Sequence, residues 1–231
     1  MIGLSQLYEA FDLHIHTCYS KARIHKLSWN DGVSSPKDVI KYCKKLGLKG
    51  LAITDHNTLD GFLKARSLAK EYNLLLIPGY ETKLPNREEV LLLGIDFLLP
   101  NYKLEEIKEE IDDNSGVIVK AHPFNSLLKN LKNLFTNYEK FDAFEINSTT
   151  PYMLNKIIFR EAERKKIQLV GGSDSHHFLS IGSALTLFDD GVESVDDVVQ
   201  NIKKGFAKAV QLASPYNLRF YVYLERLKAF F

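Results

Sequence analysis

Phe11-Asp12-Leu13-His14-Ile15-His16-Thr17 carries an apolar run that ends in two histidines two residues apart. On an extended strand, residues i and i+2 share a face, so both imidazoles point the same way and can hold one ion. The pattern recurs along the chain. Leu51 to Thr54 leads into Asp55-His56, and Leu74 to Ile77 leads into Glu81. Val117 to Val119 leads into His122, and Gln168 to Val170 into Asp174-Ser175-His176. Strands that deliver such side chains from their carboxyl ends onto one rim describe the active site of an α/β barrel. Imidazoles and carboxylates gathered in this way predict bound metal and metal-assisted hydrolysis.

Between these runs lie helix-like stretches, an alternation that favours β/α construction. The first strand is expected at about Ala10 to His16, followed by an irregular stretch from Thr17 to Ser34. Ser35-Pro36-Lys37-Asp38 has the capping serine, first-turn proline and following acid of a helix start, and Gly47 marks its end. Leu74 to Glu81 reads as one strand, paired as a hairpin with Val90 to Ile95. Helices are expected at Leu104 to Asp113, Ser126 to Tyr138, Pro151 to Lys166 and Val195 to Lys204. The apolar tail, residues 214–231, reads as a helix packed on the barrel or on a second subunit. No linker divides residues 1–231, so one domain is expected.

Composition narrows the function. The 231 residues carry 30 basic and 29 acidic side chains, a net charge of +1. A surface built to hold a long nucleic-acid backbone would show a basic excess. Cys18 and Cys43 are too few for a disulfide framework, and the amino terminus lacks the pattern of a secretory leader. No apolar run approaches a bilayer-spanning length. The expectation is a cytoplasmic protein without a membrane partner.

Five ordered motifs resemble those of the PHP (polymerase and histidinol phosphatase) superfamily. They are Asp12-Leu13-His14-Ile15-His16-Thr17, Ile53-Thr54-Asp55-His56-Asn57-Thr58, Gly79-Tyr80-Glu81, Ala121-His122-Pro123-Phe124 and Gly172-Ser173-Asp174-Ser175-His176. The resemblance implies a distorted seven-stranded TIM-like β/α barrel with two or three divalent ions (Mn, Fe or Zn) and phosphoesterase activity. It implies that His14, His16, Glu81 and Asp174 hold one ion. Glu81 would bridge to a second ion shared with His122, while His56 and His176 hold a third.

The chain departs from the family pattern twice. Glu89 stands where relatives commonly carry a histidine; a carboxylate there either ligates, favouring manganese or iron over zinc, or is solvated. For the third ion the resemblance implies one more His or Asp soon after the first motif. The stretch Ser20 to Gly32 offers His25 and Asp31, and Asp31-Gly32 before Pro36 resembles the family's approach to the first helix, which favours Asp31. Asp174 and Asp55 are candidates to carry a proton, with a structural hydrogen bond as the other role for Asp55. Arg23, in a loop with Lys21 and Lys26, and Lys120, of the same strand parity as His122, are candidates to bind a substrate phosphate. His177 is expected to be solvent-exposed by strand alternation.

The expected activity is hydrolysis of a small phosphorylated metabolite or nucleotide through a metal-bridging hydroxide. The alternative is an exonuclease on short oligonucleotides, with Tyr19, Trp29, Tyr80 and Phe124 as stacking groups. A non-catalytic metal-binding module is the third reading.

Overall fold

The computed structural model describes residues 8–24, 27–100, 103–124 and 135–212. Among these residues, two five-stranded sheets and five α-helices make a mixed α/β fold. The strands are β1 (Tyr8–Ile15), β2 (Lys21–Ile24), β3 (Leu27–Asn30), β4 (Gly50–Ile53), β5 (Leu75–Ile77), β6 (Gly79–Lys83), β7 (Glu89–Leu93), β8 (Val117–Lys120), β9 (Ala143–Asn147), β10 (Leu169–Gly172), β11 (Ala184–Asp189) and β12 (Lys208–Gln211). The helices are α1 (Pro36–Leu46), α2 (Asp60–Glu71), α3 (Leu104–Asp113), α4 (Tyr152–Lys165) and α5 (Val195–Lys203). One sheet has the order β12-β11-β1-β4-β5, the other β10-β9-β8-β7-β6.

The two-residue period of each strand divides the core. On β7, Leu91 and Leu93 face one cluster, with Phe11 and Leu13 of β1, Val119 of β8 and Val170 of β10. That cluster draws on both sheets and is closed by Val198, Val199 and Ile202 of α5. Val90 and Leu92 face the other way, onto a layer that includes Val39 and Ile40 of α1, Phe62 of α2 and Ile107 of α3. Strands covered on both faces read as continuous apolar runs, which is why β4 and β8 look that way in sequence. Truncating a fully buried leucine such as Leu91 to alanine costs about 2–5 kcal/mol.

Local signals act as expected at α1. Ser35 accepts from the Asp38 backbone N–H, Pro36 opens the helix, and Gly47 closes it with φ +73°. In two places the structure differs from the sequence expectation. The run Leu74 to Glu81 breaks into β5 and β6, in different sheets, because Pro78 has no N–H to continue a ladder. The stretch expected to be irregular contains the antiparallel ribbon β2–β3. The expected hairpin forms as β6–β7. Helix Ser126 to Tyr138 lies mostly, and the 214–231 tail wholly, outside the described residues. No described helix is long and apolar enough to cross a membrane.

Backbone hydrogen bonds tie the sheets together at both seams. His16 N–H donates to Ser175 O at 2.7 Å, and Glu81 N–H donates to Thr54 O at 3.1 Å. His16, Thr54 and Ser175 lie just beyond the carboxyl ends of β1, β4 and β10, and Glu81 lies within β6; the ligand-type residues gather there.

Candidate metal centre

His14 and His16 reach the rim through an irregularity in β1. Register against β4 shifts between Asp12 and Ile15. Leu13 faces the inter-sheet core, whereas Ile15 faces the helix layer. An extra residue in one strand re-aims the side chains beyond it, and such shifts recur beside active sites. Asp12 fixes the irregularity by accepting the backbone N–H groups of His14, Ser173 and Gly182. Burial pushes the Asp12 carboxyl up to about 6, against those hydrogen bonds.

The other strands deliver their groups to the same place. His56 follows β4, Glu81 lies in β6, His122 follows β8, and Asp174 and His176 follow β10. Glu89 begins the antiparallel β7, so it enters from the same rim. His122 and Asp174 have φ of +23° and +52°, left-handed backbone that non-glycine residues seldom adopt and that concentrates at functional sites. A Cβ added to Gly172 would collide with Glu145 Oε1 and His14 Cβ, so glycine there lets β10 approach the centre.

Glu81 is the hub. Its Oε2 lies 3.4 Å from His14 Nε2, 3.2 Å from His16 Nε2 and 3.2 Å from His56 Nδ1. Its Oε1 lies 2.8 Å from His122 Nε2. Asp174 Oδ1 sits 3.3 Å from His16 Nε2 and 3.5 Å from both His14 Nε2 and His176 Nδ1. Asp31 Oδ2 closes the far side, 3.0 Å from His176 Nε2 and 3.2 Å from His56 Nε2. Among the described residues, three sets have ligand atoms within 4.8 Å of one another: His14, His16 and Glu81; Glu81, Glu89 and His122; His16, His56 and His176.

The chemistry of this donor set fits divalent metal ions. The Nε2 atoms of His14 and His16 face each other at 3.0 Å, while their Nδ1 atoms are held by Glu145 and Ser20 at 2.8 and 3.0 Å. Imidazoles anchored through one nitrogen with the other turned inward are arranged as metal ligands are. The electrostatics point the same way. Burial would pull His14, His16 and His122 down, but the surrounding carboxylates more than reverse it. His16 and His122 are raised to about 9, and His14 well above the usual histidine range. Burial would push Glu81 and Asp174 up, yet the facing imidazoles hold both well below the usual carboxylate range. The surrounding carboxylates favour positive charge at His14, His16 and His122.

The structure brings together His14, His16, Asp31, His56, Glu81, His122, Asp174 and His176. Glu89 stands at the margin, its Oε2 3.8 Å from His122 Nδ1 and its Oε1 2.9 Å from Lys83 Nζ. Of the roles expected for Asp55, the structure shows the hydrogen bond: it accepts from Thr17 N–H at 2.6 Å on one oxygen and from Thr17 Oγ1 at 2.7 Å on the other, an anchor for the turn after β1. Other expectations need correction. Lys120 points away from the centre. Its Nζ lies 3.0 Å from Glu88 and packs over the rings of Phe141 and Phe144. Strand β8 ends at Lys120, and the turn at His122 separates the two side chains.

Arg23 lies in β2 with its side chain outside the described set, as is His25 altogether. Tyr80 is buried with its hydroxyl accepting from Leu99 N–H, so it offers no stacking face; Tyr19, Trp29 and Phe124 are half-buried. His177 is buried, not exposed, and accepts from Leu179 N–H in a 3-10 turn. Sequence reasoning missed Glu145 and Ser20. Glu145 is fully buried, with Oε1 on His14 Nδ1 and Oε2 accepting from His122 N–H at 2.7 Å. Its signal was a lone carboxylate inside the apolar strand Ala143–Asn147.

Known proteins share this architecture. A 121-residue stretch is 34% identical to an uncharacterised protein of Methanocaldococcus jannaschii, covering 52% of this chain and 71% of that protein. A two-domain protein of Bacteroides vulgatus, named for a PHP-like metal-dependent phosphoesterase, superposes with TM-score 0.69 at 16% identity. The overlap covers 89% of this chain and 66% of that one. The lesion-specific endonuclease EndoQ of Pyrococcus furiosus superposes with TM-score 0.60 at 21% identity, over 87% of this chain and 57% of that one. The family model for the PHP domain matches residues 12–213, and the chain belongs to that family.

Proposed function

We propose that this protein is a metal-dependent phosphoric ester hydrolase acting on a small phosphorylated metabolite or nucleotide. One observation carries the reading: both oxygens of Glu81 are used, Oε2 toward His14, His16 and His56, Oε1 toward His122. A carboxylate so shared is suited to lie between two ions. In this reading His14, His16, Glu81 and Asp174 would hold one ion, and Glu81, Glu89 and His122 a second. Asp31, His56 and His176 would hold a third. When bound, such ions activate water and stabilise charge on phosphoryl oxygens. Nitrogen and oxygen ligands without thiolate suit manganese, iron or zinc.

The chain's own residues supply positioning. Glu145 and Ser20 fix the ring orientations of His14 and His16, so both present Nε2 inward. Asp174, ionised and buried with Oδ1 against three imidazoles, is suited to ligation; the same imidazoles make that oxygen too weak a base to carry the proton. We read the fold as a distorted seven-stranded barrel of β1, β4 and β6 to β10. That reading is supported by the seam bonds His16 to Ser175 and Glu81 to Thr54.

Hydrolysis of phosphomonoesters, nucleotides and short oligonucleotides by purified protein, with manganese, iron or zinc added, tests the proposal. Release of phosphate from a small monoester, abolished by EDTA and restored by metal, is the expected result. Chelator-insensitive or absent hydrolysis across the panel would overturn it. Cleavage confined to the oligonucleotides would replace it with a nuclease.

A further inference from the structure

Lys83 has no role in the centre described so far, yet it stands at its mouth. It lies two residues beyond Glu81 on β6, so the two side chains leave the same face about 7 Å apart along the strand. Glu81 is buried at the hub, whereas the Lys83 side chain is 58% exposed. Across the β6–β7 ladder Lys83 is the register partner of Glu89, and its Nζ sits 2.9 Å from Glu89 Oε1. The other oxygen of Glu89 faces His122 Nδ1 at 3.8 Å. One carboxylate therefore stands between a solvent-facing ammonium and the buried cluster.

We propose that Lys83 is the substrate-positioning cation of this enzyme, binding a phosphoryl oxygen at the entrance to the metal cluster. The inference rests on the hydrolase reading above. An exposed Lys–Glu pair contributes about 0–1 kcal/mol, so Lys83 leaves Glu89 at little cost. A phosphate monoester offers it a doubly charged partner with several acceptor oxygens, a stronger charge-assisted bond. As Glu89 turns toward the cluster, Lys83 is released toward substrate, so ligand and counter-ion roles alternate on one side chain. Lys120 cannot serve in its place, being buried against Glu88, Phe141 and Phe144.

The test compares wild type with Lys83→Met and Lys83→Arg, measuring metal content, binding of inorganic phosphate by calorimetry, and steady-state kinetics on a phosphomonoester. Lys83→Met is expected to keep its metal and weaken phosphate binding about tenfold, the loss of one hydrogen bond to a charged group. KM should rise by a similar factor with kcat little changed, and Lys83→Arg should restore most of the binding. Phosphate binding equal to wild type in Lys83→Met, or none in wild type, overturns the proposal. Phosphate binding that depends on Lys83, in metal-loaded protein that hydrolyses no phosphomonoester, would sink the hydrolase reading while leaving the anion site standing.

Discussion

Glu145 holds His14 and His122 at once, accepting at Oε1 from His14 Nδ1 at 2.8 Å and at Oε2 from the His122 backbone N–H at 2.7 Å. One fully buried carboxylate thus orients a ring from β1 and fixes the turn after β8. An amide has one acceptor oxygen, so Glu145→Gln cannot serve both donors and turns an N–H toward one of them. The variant should bind metal about 10–100-fold more weakly, the usual loss when a ligand's supporting partner is changed. Metal titration followed by calorimetry checks this, and wild-type affinity would refute the orienting role.

His14→Ala combined with His16→Ala should abolish hydrolysis. Both Nε2 atoms meet Glu81 and Asp174, so the variant loses two donors from one set. Elemental analysis should show fewer ions per chain, with far-UV circular dichroism still that of a folded α/β protein. Unchanged turnover would remove the ligand assignment.

Glu89→Gln should weaken one ion, with activity recovered at higher manganese. Glu89→His should keep activity and shift preference from manganese or iron toward zinc, since imidazole is the softer donor. Competition between the metals, read by elemental analysis, decides it. If neither variant alters metal content or rate, Glu89 serves Lys83 alone.

The raised histidines give metal binding a pH dependence of known sign. His16 and His122 sit near 9 in the metal-free protein against 6.5 for an unperturbed imidazole. Ligation requires the neutral ring, so metal uptake should release protons and affinity should rise with pH up to about 9. Metal-free stability runs the other way. A folded pKa above the unfolded one gives a contribution complete below 6.5 and lost as pH rises through 9. Urea midpoints of metal-free protein should therefore fall between pH 6.5 and 9, while metal-loaded protein gains on the same interval. A metal-free midpoint that climbs over that range would contradict the assignment.

Asp55→Ala should act through stability. It removes two hydrogen bonds from Thr17 to a buried carboxylate, a loss of about 3 kcal/mol. Chemical denaturation measures it, and any activity lost should follow the folded fraction. A variant of wild-type stability without turnover would return Asp55 to a chemical role.

The sequence by itself determined which strand ends carry ligand-type side chains. Strand periodicity and short β/α connections are local properties, so His14, His16, His56, Glu81, His122, Asp174 and His176 were all legible as one rim. Family resemblance alone favours Asp31 over His25, and the structure places the Asp31 Oδ2 beside His56 and His176. Only the tertiary structure decided what each polar group faces. Lys120 shares parity with His122 on paper, but positive φ at His122 turns the chain and leaves the lysine against Phe141 and Phe144. Pro78 splits one apolar run between two sheets. Glu145 meets His14 across 131 positions, and Asp55 meets Thr17 across 38. Partners that far apart are chosen by how strands pack and close on one another, which no local pattern records.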